Sequence, residues 1–258
     1  MFNNRTMQMK YIIAILLVLL TAQTLCAQPK LFKDGKPNKE LKSGEIKKYF
    51  KNKYKGVKQV GFRSHPHYKN KLKLRIDGPL IPEEEDIATQ STMERTSNGN
   101  FDVKHTRTVA RKFLKRELKL FGAESLDEIV ETFSNSGPVF SRVKYKIFLN
   151  NVAVEDTLIV VSSKAIGEIS WVKASLVAIT PEMRAASANT AEMLSEEEIR
   201  ALIKSDQHGS NLHFLRLEKV IKTEAPYVIW VSNTGNWLYE VDAFSGEILS
   251  KKDNIINM

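Results

Sequence analysis

The chain has 258 residues, of which 42% are hydrophobic and 27% are charged, and its formal net charge is +9. These fractions are typical of a folded globular protein and exclude a disordered tail or a collagen, while the single cysteine excludes a disulfide-rich miniprotein. The length is sufficient for one large domain or two small ones.

The first 27 residues have the organisation of a secretory signal. Arg5 and Lys10 give a positive start, residues 11–20 form an unbroken apolar run, and Ala27 is a small residue at the predicted cleavage site. The apolar run is too short to cross about 30 Å of hydrocarbon as a helix, so we predict cleavage after Ala27 rather than a transmembrane anchor. The expected location is therefore secreted or periplasmic.

The only cysteine, Cys26, lies inside this predicted signal. A lipoprotein anchored through Cys26 is the less favoured alternative, because a lipid-accepting cysteine normally follows a small residue and Leu25 is bulky. Cleavage after Ala27 would leave a chain without cysteine, which excludes disulfides, thiolate metal sites and a cysteine nucleophile.

Positive charge is concentrated in residues 28–75, which contain 16 Lys and Arg residues and 3 acidic residues. We treat residues 28–71 as a lysine-rich N-terminal segment. Four apolar or aromatic residues in it recur at helical spacing and predict a short amphipathic helix: Ile46, Tyr49, Phe50 and Tyr54. Its lysines are candidates for contact with anionic glycans or lipids, although a solvated surface is their more ordinary role, and no nucleic-acid partner is expected for an exported protein. The candidates are Lys47, Lys48, Lys51, Lys53, Lys55 and Lys58.

Residues 72–182 are predicted to form one helix and a meander of strands. Alternation over residues 72–81 predicts a strand that enters this region. Apolar residues at helical steps over residues 109–121 predict a helix, which Gly122 ends as a C-terminal cap. Alternating patterns then predict strands over 139–150, 152–162 and 168–174.

Residues 190–252 repeat this plan, and residues 253–258 form a tail. Ser195 and Glu198 have the spacing of a capping box at the start of a helix. Asp242 is expected to tie down the turn that follows its strand. The strands are predicted over 212–221, 227–232, 237–242 and 247–251. The sequence therefore predicts an α+β protein of two successive small cystatin-like units, each a helix packed on an antiparallel β-meander.

The sequence contains no recognisable catalytic signature. It has no H-E-x-x-H, nucleophile-elbow, phosphate-loop, dinucleotide-binding or calcium-loop motif. His65 and His67 flank a proline with no carboxylate or cysteine close by, so they are interpreted as loop residues rather than metal ligands. We expect a protein that is not an enzyme and that uses no metal or cofactor.

Three segments together resemble the FTP domain, which is the fungalysin/thermolysin-type propeptide. They are residues 109–122 (VARKFLKRELKLFG), 143–154 (VKYKIFLNNVAV) and 158–172 (LIVVSSKAIGEISWV). The chain departs from the family pattern at Asn151, where glycine is usual, and at Ala153, where proline is usual. The resemblance implies an FTP-like domain over residues 72–182.

The helix start at residues 194–202 and the segment at residues 237–249 resemble a PepSY domain. The second segment, WLYEVDAFSGEIL, retains nearly every position of a strand ending in Y-x-V-D-A-x-T-G-E-I-L. The resemblance implies a PepSY-like domain over residues 190–252.

In that family the FTP and PepSY domains precede a thermolysin-like zinc metalloprotease, which they help to fold and inhibit. Because no zinc motif occurs in this sequence, which ends at Met258, the resemblance implies action in trans on a separate secreted thermolysin-like metalloprotease. The apolar tail residues expected to contact it are Ile255, Ile256 and Met258. The alternatives are the surface-associated module described above and the remnant of a truncated protease gene. The sequence indicates no oligomeric state.

Overall fold

A computed structural model of the chain describes residues 32–33, 36–37, 42–54, 57–64, 69–76, 103–164, 169–207, 213–223 and 225–253. The predicted signal peptide and the tail beyond Asp253 lie outside these residues. The helices are α1 (Ser43–Lys53), α2 (Val103–Arg116), α3 (Pro181–Ala186) and α4 (Glu196–Asp206), with 3-10 turns at Leu118–Phe121, Leu126–Glu128 and Thr190–Glu192. The strands are β1 (Phe32–Lys33), β2 (Lys36–Pro37), β3 (Val57–Ser64), β4 (Lys69–Ile76), β5 (Ile129–Asn135), β6 (Phe140–Leu149), β7 (Val152–Val154), β8 (Leu158–Lys164), β9 (Ile169–Val177), β10 (Arg216–Ile221), β11 (Val228–Asn233), β12 (Trp237–Asp242) and β13 (Ile248–Asp253).

Eleven of the described strands form one sheet, and the short β1 and β2 pair separately. The order along the sheet is β13-β12-β11-β10-β7-β6-β8-β9-β4-β3, with β5 also paired to β6. Among the described strand pairs of this sheet, only β7 and β10 run parallel. The predicted α+β class is confirmed.

A short break separates β7 from β8 and divides the sheet into two branches. β7 pairs with β10, whereas β8 pairs with β9. The side chain of Thr157 takes a place in the ladder at the break, since its Oγ1 accepts a hydrogen bond from the Ile147 N–H at 3.1 Å and donates one to the Val154 carbonyl at 2.8 Å. The single strand predicted over 152–162 was therefore wrong, because this side chain replaces a backbone partner where the chain changes direction.

The first hydrophobic core lies between helices α1 and α2 and the branch that contains β8 and β9. Phe113 of α2 is fully buried and contacts the Tyr54 ring at a centroid distance of 5.9 Å. All four residues of the predicted amphipathic face are buried in this core: Ile46, Tyr49, Phe50 and Tyr54. The first core therefore takes in residues on both sides of the boundary predicted at residue 72.

The second hydrophobic core lies between α3, α4 and the branch that contains β10 to β13. Ile199 and Ile203 of α4 are fully buried in it, together with Tyr239 and Val241 of β12. The capping box predicted at the start of α4 is confirmed, with Glu198 accepting from the Ser195 N–H at 2.7 Å. Each core therefore has helices on one face of a largely antiparallel branch.

Strand β6 contributes the same face to both cores. Its alternate residues are buried along its whole length, as the sequence pattern predicts. Val143 and Tyr145 belong to the first core, whereas Ile147 and Leu149 belong to the second. One continuous strand therefore joins the two cores.

The sequence pattern does not predict the short β1 and β2, the strands β3 and β5, or the short helix α3. A bulge between Glu131 and Phe133 interrupts the alternation of β5, and Gly61 lies within a lysine-rich β3, so neither strand has a clear two-residue period. The strand expected from residue 72 begins earlier, as β4. No described helix is both long enough and apolar enough to cross a membrane.

Candidate partner-binding surfaces

The segment WLYEVDAFSGEIL forms strand β12, a turn and the start of the final strand β13. β12 pairs with β13 from Trp237 opposite Asp253 to Val241 opposite Ile248. β13 ends the order of the sheet, so its other edge pairs with no described strand. The backbone groups of such an edge are available to a partner peptide.

Asp242 fixes the turn between these strands, as the sequence predicts. Its Oδ1 accepts hydrogen bonds from the N–H groups of Phe244 at 3.0 Å and Ser245 at 2.8 Å, and from the Ser245 hydroxyl at 2.9 Å. Partial burial opposes ionisation, but the three hydrogen bonds outweigh it and hold the pKa of Asp242 below its ordinary value. The carboxylate therefore stabilises the turn in its charged form.

Gly246 allows this turn to lie against α4. Its φ of 75° is in the left-handed region that favours glycine. A Cβ placed there would lie 2.9 Å from a methyl group of Leu202 and 3.0 Å from one of Leu194. The backbone of Leu194 also donates to the Ala243 carbonyl at 2.8 Å, so the start of α4 and the turn form one packed unit.

A polar network joins the end of α4 to β12 and β13. The Tyr239 hydroxyl donates to Asp206 at 2.8 Å and accepts from the Gln207 amide at 2.6 Å. The Lys251 ammonium lies 2.7 Å from the same Asp206 carboxylate, and this hydrogen bond raises the pKa of Lys251. The network anchors β13 close to the point where the chain leaves the described residues.

The predicted tail contacts Ile255, Ile256 and Met258 lie outside the described residues, so their role stays a prediction. The described chain reaches Asp253 in strand conformation. The backbone is therefore extended up to Asp253, where the described residues end.

The lysines of the N-terminal segment are only partly described. Lys47, Lys48 and Lys51 are exposed on α1. Lys53 instead turns toward the first core, where its Nζ lies 2.8 Å from the fully buried carboxylate of Glu117. Lys55 lies outside the described residues, and Lys58 is described only as part of the β3 backbone.

A third surface, which the sequence analysis did not single out, lies on the sheet opposite the first core. We call it the outer face, and it is built from residues of β5, β6, β8 and β9. The pairing brings Phe133, Lys144, Val160 and Lys173 into one row, and Asn135, Arg142, Ser162 and Trp171 into the next. The alternating cations of β6 were a signal for this surface, but the neighbouring strands had to be placed before the rows could be recognised.

The described residues contain no group of three or more His, Cys, Asp or Glu residues able to hold a metal ion. Trp230 packs in the second core, where its indole N–H donates to the Leu194 carbonyl at 3.1 Å. Trp237 packs against the same core and under Lys251. These two rings therefore have structural roles, while Trp171 belongs to the outer face.

No family model and no curated protein matches the chain. Among solved structures, the Bacillus megaterium YpeB C-terminal domain aligns with 84% of this chain and 98% of its own length, at 12% sequence identity and a TM-score of 0.34. A TM-score this low does not establish a common fold.

Proposed function

We propose that the chain is a non-catalytic, propeptide-like module that inhibits a separate thermolysin-like zinc metalloprotease, or assists its folding, in trans. The sequence resemblance to the FTP and PepSY domains suggests this class of partner. The observation that carries the proposal is the geometry of β13. This edge strand is anchored to α4 through Asp206 and Lys251 and reaches Asp253 in an extended conformation.

An extended chain is the form in which a protease cleft binds a peptide. In the proposed complex, the last described strand leads into the tail, and Ile255, Ile256 and Met258 supply apolar anchors for a hydrophobic pocket. The anchored strand would reduce the conformational freedom lost on binding, because the strand that leads into the tail is already held in place. No catalytic group of this chain takes part.

The proposal is tested by adding residues 28–258 to thermolysin and measuring residual peptidase activity. We expect inhibition that depends on concentration and an inhibitor that stays intact on a gel. The double substitution Ile255→Asp/Ile256→Asp should weaken inhibition by about tenfold or more, because buried apolar anchors dominate such interfaces. Leu215→Asp, at a side chain that is 61% exposed elsewhere in the molecule, is the matched control and should change little.

Two results would contradict the proposal at different levels. Inhibition that is unchanged by the tail substitutions would show that the tail does not contribute to the interface with the protease. A folded chain that inhibits no thermolysin-like enzyme and does not assist the refolding of one would remove the function itself.

The exposed Lys47, Lys48 and Lys51 favour a second candidate, a surface-associated module that binds anionic glycans or lipids through α1. The dependence of binding on salt concentration distinguishes the two candidate functions. Binding through these lysines should weaken steeply as ionic strength rises, whereas an apolar protease interface should change little.

A further inference from the structure

Exposed apolar side chains are concentrated on the outer face and on the adjoining β5–β6 turn. Five of the ten large hydrophobic residues that are exposed among the described residues lie there. They are Val130 (38% exposed), Phe133 (46%), Val139 (68%), Phe140 (42%) and Leu158 (38%). A group of exposed apolar residues of this kind is typical of a surface that binds a membrane or another molecule.

Cations stand among these side chains and are held in place by aromatic rings. The Arg142 guanidinium lies 5.1 Å from the ring centre of Phe140 and 5.3 Å from that of Trp171. Lys173 lies 4.8 Å from the Trp171 ring, and Lys144 lies 4.7 Å from the Phe133 ring. These cation–π contacts orient the charges without neutralising them.

Among the described residues, the central rows of the outer face contain cations but no carboxylate. Within the described part of the chain, no carboxylate forms an ion pair with Arg142, Lys144 or Lys173. At the margin toward β10, the Glu218 carboxylate lies 3.2 Å from the Lys146 ammonium. The backbone register continues the rows onto β4, where Lys73 is the partner of Lys173 and Arg75 is the partner of Trp171.

We propose that the outer face is a binding site for the surface of an anionic phospholipid bilayer. The lysines and Arg142 would contact lipid phosphates, and the aromatic and aliphatic side chains would enter the boundary between headgroups and acyl chains. The aliphatic residues favour a bilayer over a soluble polyanion. Val130, Val139 and Leu158 add nothing to the binding of a phosphate or sulfate group, but each gains from transfer out of water.

Val139 and Phe140 are placed to enter the bilayer before the rest of the outer face. Val139 lies in the turn between β5 and β6, and Phe140 is the first residue of β6, beyond the last pair that β6 makes with β5. Because β5 and β6 are held in register by the pairing of Asn135 with Arg142, the exposed tip and the basic rows belong to one rigid surface. The face can therefore dock without rearrangement of the fold.

The experiment is the sedimentation of residues 28–258 with sucrose-loaded vesicles. Vesicles of equimolar phosphatidylglycerol and phosphatidylcholine should bind the protein, and vesicles of phosphatidylcholine alone should bind it at least about tenfold more weakly. Lys144→Glu/Lys173→Glu and Phe133→Ser/Phe140→Ser should each reduce binding to the anionic vesicles by about tenfold or more. The matched controls are Lys252→Glu and Phe244→Ser, whose side chains are exposed at the opposite end of the sheet and should be neutral.

A second measurement does not depend on the folding of the double variants. Brominated phosphatidylglycerol should quench part of the tryptophan fluorescence of the wild-type chain. Trp171→Phe should remove the quenched part, because Trp230 is 5% exposed inside the second core and Trp237 packs against that core on β12. Quenching that persists in Trp171→Phe would overturn the proposal.

Three other outcomes would also overturn it. Equal binding to neutral vesicles would remove the role of charge. Binding that survives the phenylalanine substitutions and is competed by dextran sulfate or a single-stranded oligonucleotide would identify a soluble polyanion instead. Loss of binding only in Lys47→Glu/Lys48→Glu/Lys51→Glu would move the site to α1. None of these outcomes bears on protease inhibition, which is measured separately.

Discussion

Glu117 is a fully buried carboxylate that ties α1 to the chain following α2. It accepts hydrogen bonds from the hydroxyls of Tyr54 and Tyr49, the latter at 2.9 Å, and pairs with Lys53 at 2.8 Å. Burial and the negative charge of Glu117 together raise the pKa of Tyr54, so its hydroxyl remains a donor at all moderate pH values.

We predict that Glu117→Ala lowers the free energy of unfolding by roughly 3 kcal/mol, because it removes the carboxylate that accepts from two buried hydroxyls and pairs with a partly buried ammonium. Urea unfolding measures the change. Glu197→Ala, at an exposed site on α4, is the control and should cost less than about 0.5 kcal/mol. Equal effects of the two substitutions would contradict the role given to the buried carboxylate.

The contribution of Asp242 to stability should depend on pH. Since its pKa is lower in the folded chain than in an unfolded one, its contribution is complete above about pH 4 to 5 and is lost as the pH falls through the folded value. Asp242→Asn should therefore reduce stability by about 1 kcal/mol near pH 7. The difference from wild type should shrink toward pH 3. Urea titrations across this range provide the measurement, and a difference that does not vary with pH would refute the assignment.

At the scale of elements, the capping box fixes the start of α4. The Ser195 hydroxyl accepts from the Glu198 N–H at 3.3 Å, and the Glu198 carboxylate accepts from the Ser195 N–H at 2.7 Å. Ser195→Ala should cost about 1 kcal/mol in thermal or urea unfolding. Ser205→Ala, the same substitution at an exposed site in the last turn, should be neutral or slightly stabilising. The cap has no special role if both variants behave alike.

Elements with local signals could be predicted from the sequence, and those that depend on distant pairing could not. The cap of α4 and the turn at Asp242 use partners within three residues, so both were predicted correctly. The helix α1 was also predicted, but its place in the first core was not, because Tyr54 and Glu117 are 63 residues apart. β5 was missed because a bulge interrupts its alternation, and it is recognised as a strand through its pairing with β6.

The candidate surfaces also differ in whether local sequence can reveal them. The lysines of the N-terminal segment are close together in the sequence, so the sequence alone predicts a basic cluster there. The outer face becomes a surface only when Lys144 and Lys173, on strands two apart, are brought into one row by β8. A periodic pattern on one strand predicts which side is buried, but it cannot predict which neighbours share that side.

Strand β6 connects the two hydrophobic cores of the molecule. Its buried residues belong to the first core up to Tyr145 and to the second core from Ile147. Between β7 and β8, the Thr157 hydroxyl accepts a hydrogen bond from the Ile147 N–H. We predict that the two cores unfold in a single transition. Trp230 reports on the second core, and in a Trp171→Phe/Trp237→Phe variant its fluorescence should follow far-ultraviolet circular dichroism in urea. Two separate transitions would show that the shared strand does not couple the cores.

The proposed function depends on a complex between this chain and a thermolysin-like protease. The most direct test is isothermal titration calorimetry of residues 28–258 with an inactive thermolysin. In this variant the catalytic glutamate of the H-E-x-x-H motif is replaced, so the enzyme cannot cleave the chain. We predict a one-to-one complex whose affinity changes little with salt and is weakened by Ile255→Asp/Ile256→Asp. The absence of any complex with a chain that is folded by circular dichroism, for thermolysin and its relatives alike, would contradict it.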